Sequence, residues 1–163
     1  MNKESGERHW CDFIKEEIAR GKEVTLQIAT GSMRPLIRPK DSVIVKGGKV
    51  SGLQSGDIIL FERNTRLYVH RLLIKQYHNG EVILLSKGDN TLVMDKSISA
   101  EQFLGKVVKV KRNQKVINLA KPPWSIINRF LYIFARLQIK ALGIYRGWKG
   151  CFLKSREVTY RKI

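Results

Sequence analysis

Between Val24 and Ile117 the chain is written in short runs where apolar and polar residues alternate, and this most restricts how it can fold. A period of two places alternate side chains on opposite faces of a strand, so each run buries one face only by pairing with the next. Val24-Thr-Leu-Gln-Ile28 is the first run. Ser42-Val-Ile-Val45 follows the turn-like Pro39-Lys-Asp41, and Asp57-Ile-Ile-Leu-Phe61 follows Ser55-Gly56. Arg66 to Gln76 and Glu81 to Leu85 flank His78-Asn79-Gly80, and Asn-Gly is a strong hairpin signal. Lys106 to Lys111 and Lys115 to Leu119 form a last hairpin through Asn113. Ser99-Ala-Glu-Gln102 has capping-box spacing and predicts a short helical turn. The sum is an all-β body of six to eight short strands.

Two helices flank it. Residues 6–20 predict an amphipathic helix capped by Ser5 and ended by Gly21, with Trp10, Phe13, Ile14 and Ile18 as its buried stripe. Lys121-Pro-Pro123 breaks the β texture, and Ser125 to about Tyr145 predicts a second helix followed by a basic tail. At 163 residues the chain is expected to form one β domain with its leading helix over 1–120 and an appended basic helical segment over 121–163.

Charge separates these parts. Residues 1–110 hold 18 basic and 13 acidic side chains, and residues 111–163 hold 13 and 1, within a total of +17. Such an excess suggests an anionic partner. On a helical projection of 124–145, Arg129, Arg136 and Lys140 fall within about 40° of one another, with apolar residues on nearly all other faces. The reading adopted is an in-plane helix on a membrane surface; the alternative is packing on the body or a partner. A spanning helix would place three charges centrally, each costing about 2.5–3.5 kcal/mol. Nucleic acid is an unlikely partner on this reading, because no recognition motif is present.

Cys11 and Cys151 are far apart, without a CxxC pair or Cys/His cluster, so neither a disulfide scaffold nor a zinc site is expected. No cofactor is implied. Met1 to Arg20 lacks an apolar h-region, so no signal peptide is expected, and no run of eighteen uncharged apolar residues suggests a membrane span. The expected location is cytoplasmic or peripheral to a membrane.

Chemistry concentrates in Thr30-Gly-Ser-Met-Arg-Pro35, where the first strand yields to a turn. Such a turn can expose the Ser32 hydroxyl and aim backbone N–H groups at one point, as nucleophilic attack on a carbonyl requires. Ser32 needs a base, and His70, within Tyr68-Val-His-Arg71, is the best candidate, since imidazole titrates near pH ~6.5. His9 lies among polar residues and His78 in a turn. Lys75, five residues beyond His70, falls on the opposite face of a regular strand, and Lys87 lies in a loop. An acid should orient the imidazole, and Asp89, in Lys87-Gly-Asp-Asn90, competes with Asp95.

In order and spacing, Ser32-Met-x-Pro35, Gly56-Asp-Ile-Ile59, Tyr68-Val-His-Arg71 and Gly88-Asp-Asn90 with Asp95 resemble the boxes of the type I signal peptidases. The variant matched is the archaeal and endoplasmic-reticulum type, with the SipW-like enzymes, which carries His where other bacterial members carry Lys. The resemblance covers about residues 24–110. It implies a signal-peptidase or LexA-like β fold and a serine endopeptidase cutting a signal or leader segment. It also implies Ser32 as nucleophile, His70 as base, Asp95 as the orienting acid and Asp89 as a brace. Thr30 would assist the oxyanion site with the Ser32 N–H. A polypeptide substrate would add as a strand beside the nucleophile. Two alternatives stand: an inactive peptidase-like module whose basic tail binds membrane or nucleic acid, and a LexA-like regulator that cuts itself. The latter would need a lysine within reach of Ser32.

Overall fold

The structure is a computed structural model that describes residues 3–141 and 143. Its elements in chain order are helix α1 (Lys3–Ala19), strands β1 (Val24–Gln27) and β2 (Ser42–Lys46), and a single 3-10 turn at Val50–Gly52. Strands β3 (Ile58–Arg63), β4 (Arg66–His78), β5 (Glu81–Lys87), β6 (Ile98–Ser99), β7 (Phe103–Arg112) and β8 (Lys115–Asn118) follow, and helix α2 (Trp124–Ala141) comes last. The strands form one sheet in the order β1-β2-β7-β3-β4-β5-β6, with β8 also paired to β7 and every pairing antiparallel. The mainly β body with a helix on either side agrees with the sequence expectation. The last predicted residues of the second helix, the basic tail and Cys151 lie outside the described residues.

Local differences have local causes. Helix α1 begins at Lys3, so Ser5 is inside it rather than capping it. Its apolar stripe divides. Cys11, Ile14 and Ile18, at i, i+3 and i+7, are buried, and the two isoleucines join the core of Leu26, Val43, Val45 and Leu60. Each buried isoleucine contributes about 1.5–3 kcal/mol. Trp10 and Phe13 instead stack on each other, half exposed, with centroids 5.7 Å apart. The Ser99–Gln102 segment makes a turn and not a helix: the Gln102 side chain accepts the Ser99 N–H at 3.0 Å, but Phe103 is drawn into the core and β7 starts at once. A bulge between Leu72 and Ile74 breaks the alternation used to place Lys75, whose Nζ donates to the carbonyls of Ser51 and Leu53.

Helix α2 packs on the body. Ala135 and Ile139 are buried in a cluster with Leu73, Leu85 and Met94, while Asn128 and Gln138 reach buried cations of β4 and β5. The membrane-surface role expected for 124–145 is therefore corrected: this helix turns its small and amide side chains inward to satisfy the sheet. Ile126, Phe130, Phe134 and Leu137 are on its exposed side. No helix among the described residues is long and apolar enough to cross a membrane.

Candidate active site

The nucleophile candidate stands on a turn anchored from below. After β1, Ile28 and Asp41 continue the pairing through an N–H···O bond of 2.8 Å, and the chain between them folds into a compact loop. Met33, Leu36 and Ile37 plug that loop into the core, at no more than 2% exposed. Arg112 clamps its far end, donating to the Leu36 carbonyl at 2.8 Å and to both oxygens of Asp41. Burial alone would raise the Asp41 pKa, but Arg112 and the Arg38 N–H outweigh it and hold the carboxyl below its ordinary value. Ser32 thus sits half-buried on a rigid turn, with its carbonyl accepting the Asn90 N–H at 2.7 Å.

Strand β4 brings His70 to it. Ser32 Oγ lies 3.2 Å from His70 Nε2, and His70 Nδ1 lies 2.7 Å from Asp95 Oδ2. A carboxylate only accepts, so Nδ1 carries the proton and the Nε2 lone pair faces the serine hydroxyl. Asp95 is itself held: the Ser86 hydroxyl donates to Oδ2 at 2.5 Å, and the Asp95 N–H donates to the Ser86 carbonyl at 2.9 Å. Thr30 Oγ1 is 3.3 Å from Ser32 Oγ. The rings of Phe61 and Tyr68 lie near the imidazole, with centroids 6.1 and 6.3 Å away.

Asp89 goes elsewhere. It takes a bidentate pair from Arg71, at 2.7 Å on each oxygen, with both side chains almost fully buried. Arg71 Nη1 also donates to the Gly56 carbonyl and to the side chain and backbone of Asn128. The lysines considered as bases are spent on other acceptors. Lys87 Nζ donates to the Gly88 and Thr91 carbonyls and to Gln138, and burial lowers its pKa. The described side-chain partners of Ser32 Oγ are His70 and Thr30.

Sequence reasoning missed Ser86, Arg71, Asn128 and Gln138. Ser86 closes an apolar run, and its one available signal was a small hydroxyl at the end of a strand facing the Gly-Asp-Asn loop. The described residues hold no cluster of His, Cys, Asp and Glu able to bind a metal.

A cleft of about 860 Å³ opens beside the site. Residues 25–30 line one side and residues 65–69 the other, with Ser32 and His70 in its wall and Trp10 among its lining residues. Helix α1 is tied to this cleft because Cys11 Sγ donates to the Thr65 carbonyl at 2.9 Å.

Comparison with known proteins gives the chain a family. Residues 3–108 match the family described as Peptidase S24-like. Over 87 residues the chain is also 30% identical to the signal peptidase complex catalytic subunit SEC11 of Candida tropicalis (strain ATCC MYA-3404 / T1), a match covering 52% of each protein. The chain thus spans about half the length of that curated relative.

The family match corrects the expected family and function. The boxes that suggested a His-type signal peptidase I also meet structural needs of this chain's own sheet: Gly88 permits close approach to Ser32, and Asp89 neutralises a buried arginine. They therefore do not single out that family, and the assignment as a membrane-associated signal peptidase gives way to the S24-like one. The expected partners are corrected with it: a signal or leader segment as substrate rested on the signal peptidase resemblance, and a missing motif is no ground for excluding nucleic acid in an S24-like chain. What stands is a mainly β LexA-like fold with flanking helices. By its match over residues 3–108 the chain belongs to the Peptidase S24-like family, within the serine proteases.

Proposed function

We propose that this chain is a serine endopeptidase that cuts an extended polypeptide, with Ser32 as nucleophile, His70 as general base and Asp95 as the orienting acid. The observation that carries this reading is the continuous line from Ser32 Oγ to His70 Nε2 at 3.2 Å and from His70 Nδ1 to Asp95 at 2.7 Å. Ser32 Oγ attacks the scissile carbonyl while its proton passes to Nε2, and Asp95 stabilises the imidazolium that forms. The Ser32 N–H and the Thr30 hydroxyl supply donors for the oxyanion. Nε2 then returns the proton to the leaving amine. A water molecule, deprotonated by the same nitrogen, releases the acyl group and restores Ser32.

The cleft suits an extended segment. β1 is the terminal strand of the sheet, and residues 67–70 of β4 have β3 as their paired strand among the described residues. Both flanks of the cleft therefore offer backbone groups, so a substrate strand gains hydrogen bonds whatever its side chains.

The test incubates wild-type chain and Ser32→Ala with a mixed peptide library and reads products by mass spectrometry. Cleavage by the wild type alone supports the proposal, and equal cleavage by both removes Ser32. The family match favours a second reading, in which the segment cut belongs to the chain itself. Fragmentation of the purified chain at a rate independent of its concentration would identify that case.

A further inference from the structure

We infer that Asn128 and Gln138 of α2 are positioning residues for the catalytic loop, so that the active site is assembled only while α2 is seated on the sheet. The inference deepens the proposed peptidase site and rests on that reading.

It starts from two buried cations. Arg71 and Lys87 are 0% and 1% exposed, and neither can reach water. Every donor of such a group must find an acceptor, because an unpaired one costs more than a formed bond returns. Lys87 has three N–H donors and three acceptors: the Gly88 carbonyl at 2.9 Å, the Thr91 carbonyl at 2.5 Å and Gln138 Oε1 at 3.3 Å. Arg71 spends one edge on Asp89, while its Nη1 turns to the Gly56 carbonyl and to Asn128, whose Oδ1 is 2.5 Å away. Amides from one helix therefore complete the shells of both cations.

The cations hold the loop that forms the site. Lys87 grips both ends of the Gly88–Thr91 turn, and Asp89 within that turn is gripped by Arg71. The turn is the floor under the nucleophile: Asn90 N–H donates to the Ser32 carbonyl, and a Cβ on Gly88 would lie 2.8 Å from that oxygen. Ser86 and Asp95 flank it on either side. A shift of the turn moves Ser32 and Asp95 against His70 together, and active-site geometry tolerates little displacement. Asn128, Leu131, Tyr132, Ala135, Gln138 and Ile139 recur at three- and four-residue spacing, so one face of α2 delivers the amides and the apolar contacts together. The segment boundary expected at residue 120 thus separates the β body from a helix its active site uses.

The experiment uses the full chain with a fluorophosphonate probe, which reacts with an activated serine and needs no known substrate. Its second readout is the low-field proton resonance of the His70 Nδ1–H···Asp95 bond. The Asn128→Ala/Gln138→Ala variant should stay folded by circular dichroism, label at least tenfold more slowly and lose or broaden that resonance. Gln138→Glu and Asn128→Asp offer each cation an oxygen in the same place and should recover labelling to within about threefold of wild type. Phe130→Ser, on the exposed side of α2, should change neither readout. If the double variant fails to fold, the single alanine variants carry the same comparison. Labelling and resonance unchanged in the alanine variants, or slowed labelling that Glu and Asp do not restore, would overturn the inference. A wild type that shows the resonance but never labels would count against the peptidase reading, and the resonance would still decide the role of α2.

Discussion

Gly88 touches Ser32. A methyl group on Gly88 would stand 2.8 Å from the Ser32 carbonyl oxygen and 3.1 Å from its Cβ, with Thr91 Cγ2 at 3.0 Å on another side. The backbone of one is pressed against the backbone of the other, and neither is a flexible side-chain tip that could swing away. Gly88→Ala must therefore push the nucleophile or its supporting turn. Misplacement by about 1 Å costs on the order of 100-fold in rate, so Gly88→Ala should label with a fluorophosphonate about two orders of magnitude more slowly than wild type. Gly48, where a Cβ meets nothing within 4 Å, is the control, and Gly48→Ala should label normally. Equal rates for wild type and Gly88→Ala would show that this contact does not position Ser32.

Asp95 and Asp89 should separate by the kind of damage they cause. An asparagine at 95 can present its amide N–H to His70 and turn the imidazole to the wrong tautomer, a change that costs about 10⁴-fold in a Ser-His-Asp site. Asp95→Asn should therefore cleave far more slowly than wild type while melting at a similar temperature. Asp89→Ala strips the carboxylate from a fully buried guanidinium, and breaking such a pair costs about 3–5 kcal/mol. Its signature is a large fall in melting temperature. Thermal melts and rates on the two variants check this, and a stable, inactive Asp89→Ala would reverse the two assignments.

The pH profile follows from the base. An imidazole accepts the serine proton only while neutral, so cleavage should fall as the solution is made acid. The measurement is kcat/KM against pH for a peptide found in the library screen. A rate that holds steady through acid pH and rises only in alkali would favour a lysine base over His70.

How far the site could be read from the chain depended on which residues obey local rules. Ser32, His70 and the turn-forming Gly-Asp-Asn run lie in segments whose alternation and turn chemistry are visible, and the structure brings Ser32, His70 and Asp95 together. Asp89 and Asp95 were not separable by spacing, because the difference between them is a buried arginine one residue after the histidine. Charged residues belong at the surface by default, so nothing marked Arg71 and Lys87 as interior. That same default hid Asn128 and Gln138. On a helical projection they look like breaks in an apolar face, and only the cations beneath them explain why amides stand there. Helix α1 shows the reverse case: Trp10 and Phe13 fit the apolar stripe, but they stack on each other half exposed, and Trp10 lines the cleft.

Acid should loosen the nucleophile turn through Asp41. Burial opposes its ionisation, but Arg112 and the Arg38 N–H more than compensate, so the folded pKa lies below that of the unfolded chain. The folded state then binds the Asp41 proton more weakly than the unfolded state. This contribution to stability is complete above the unfolded carboxylate value of about 3.9 and is lost as pH falls through the folded one. Asp41→Asn removes the ionisation and leaves Arg112 beside a neutral amide. Wild type should therefore melt well above Asp41→Asn at neutral pH, and the gap should narrow as pH drops below about 4. Because Arg112 also holds the Leu36 carbonyl, the loop carrying Ser32 should loosen in the same acid window. Melting curves from neutral to strongly acid pH, with amide exchange read at Met33 and Ile37, check both effects. A gap between the two proteins that stays constant across that range would show that the Asp41–Arg112 pair does not stabilise the turn through its charge.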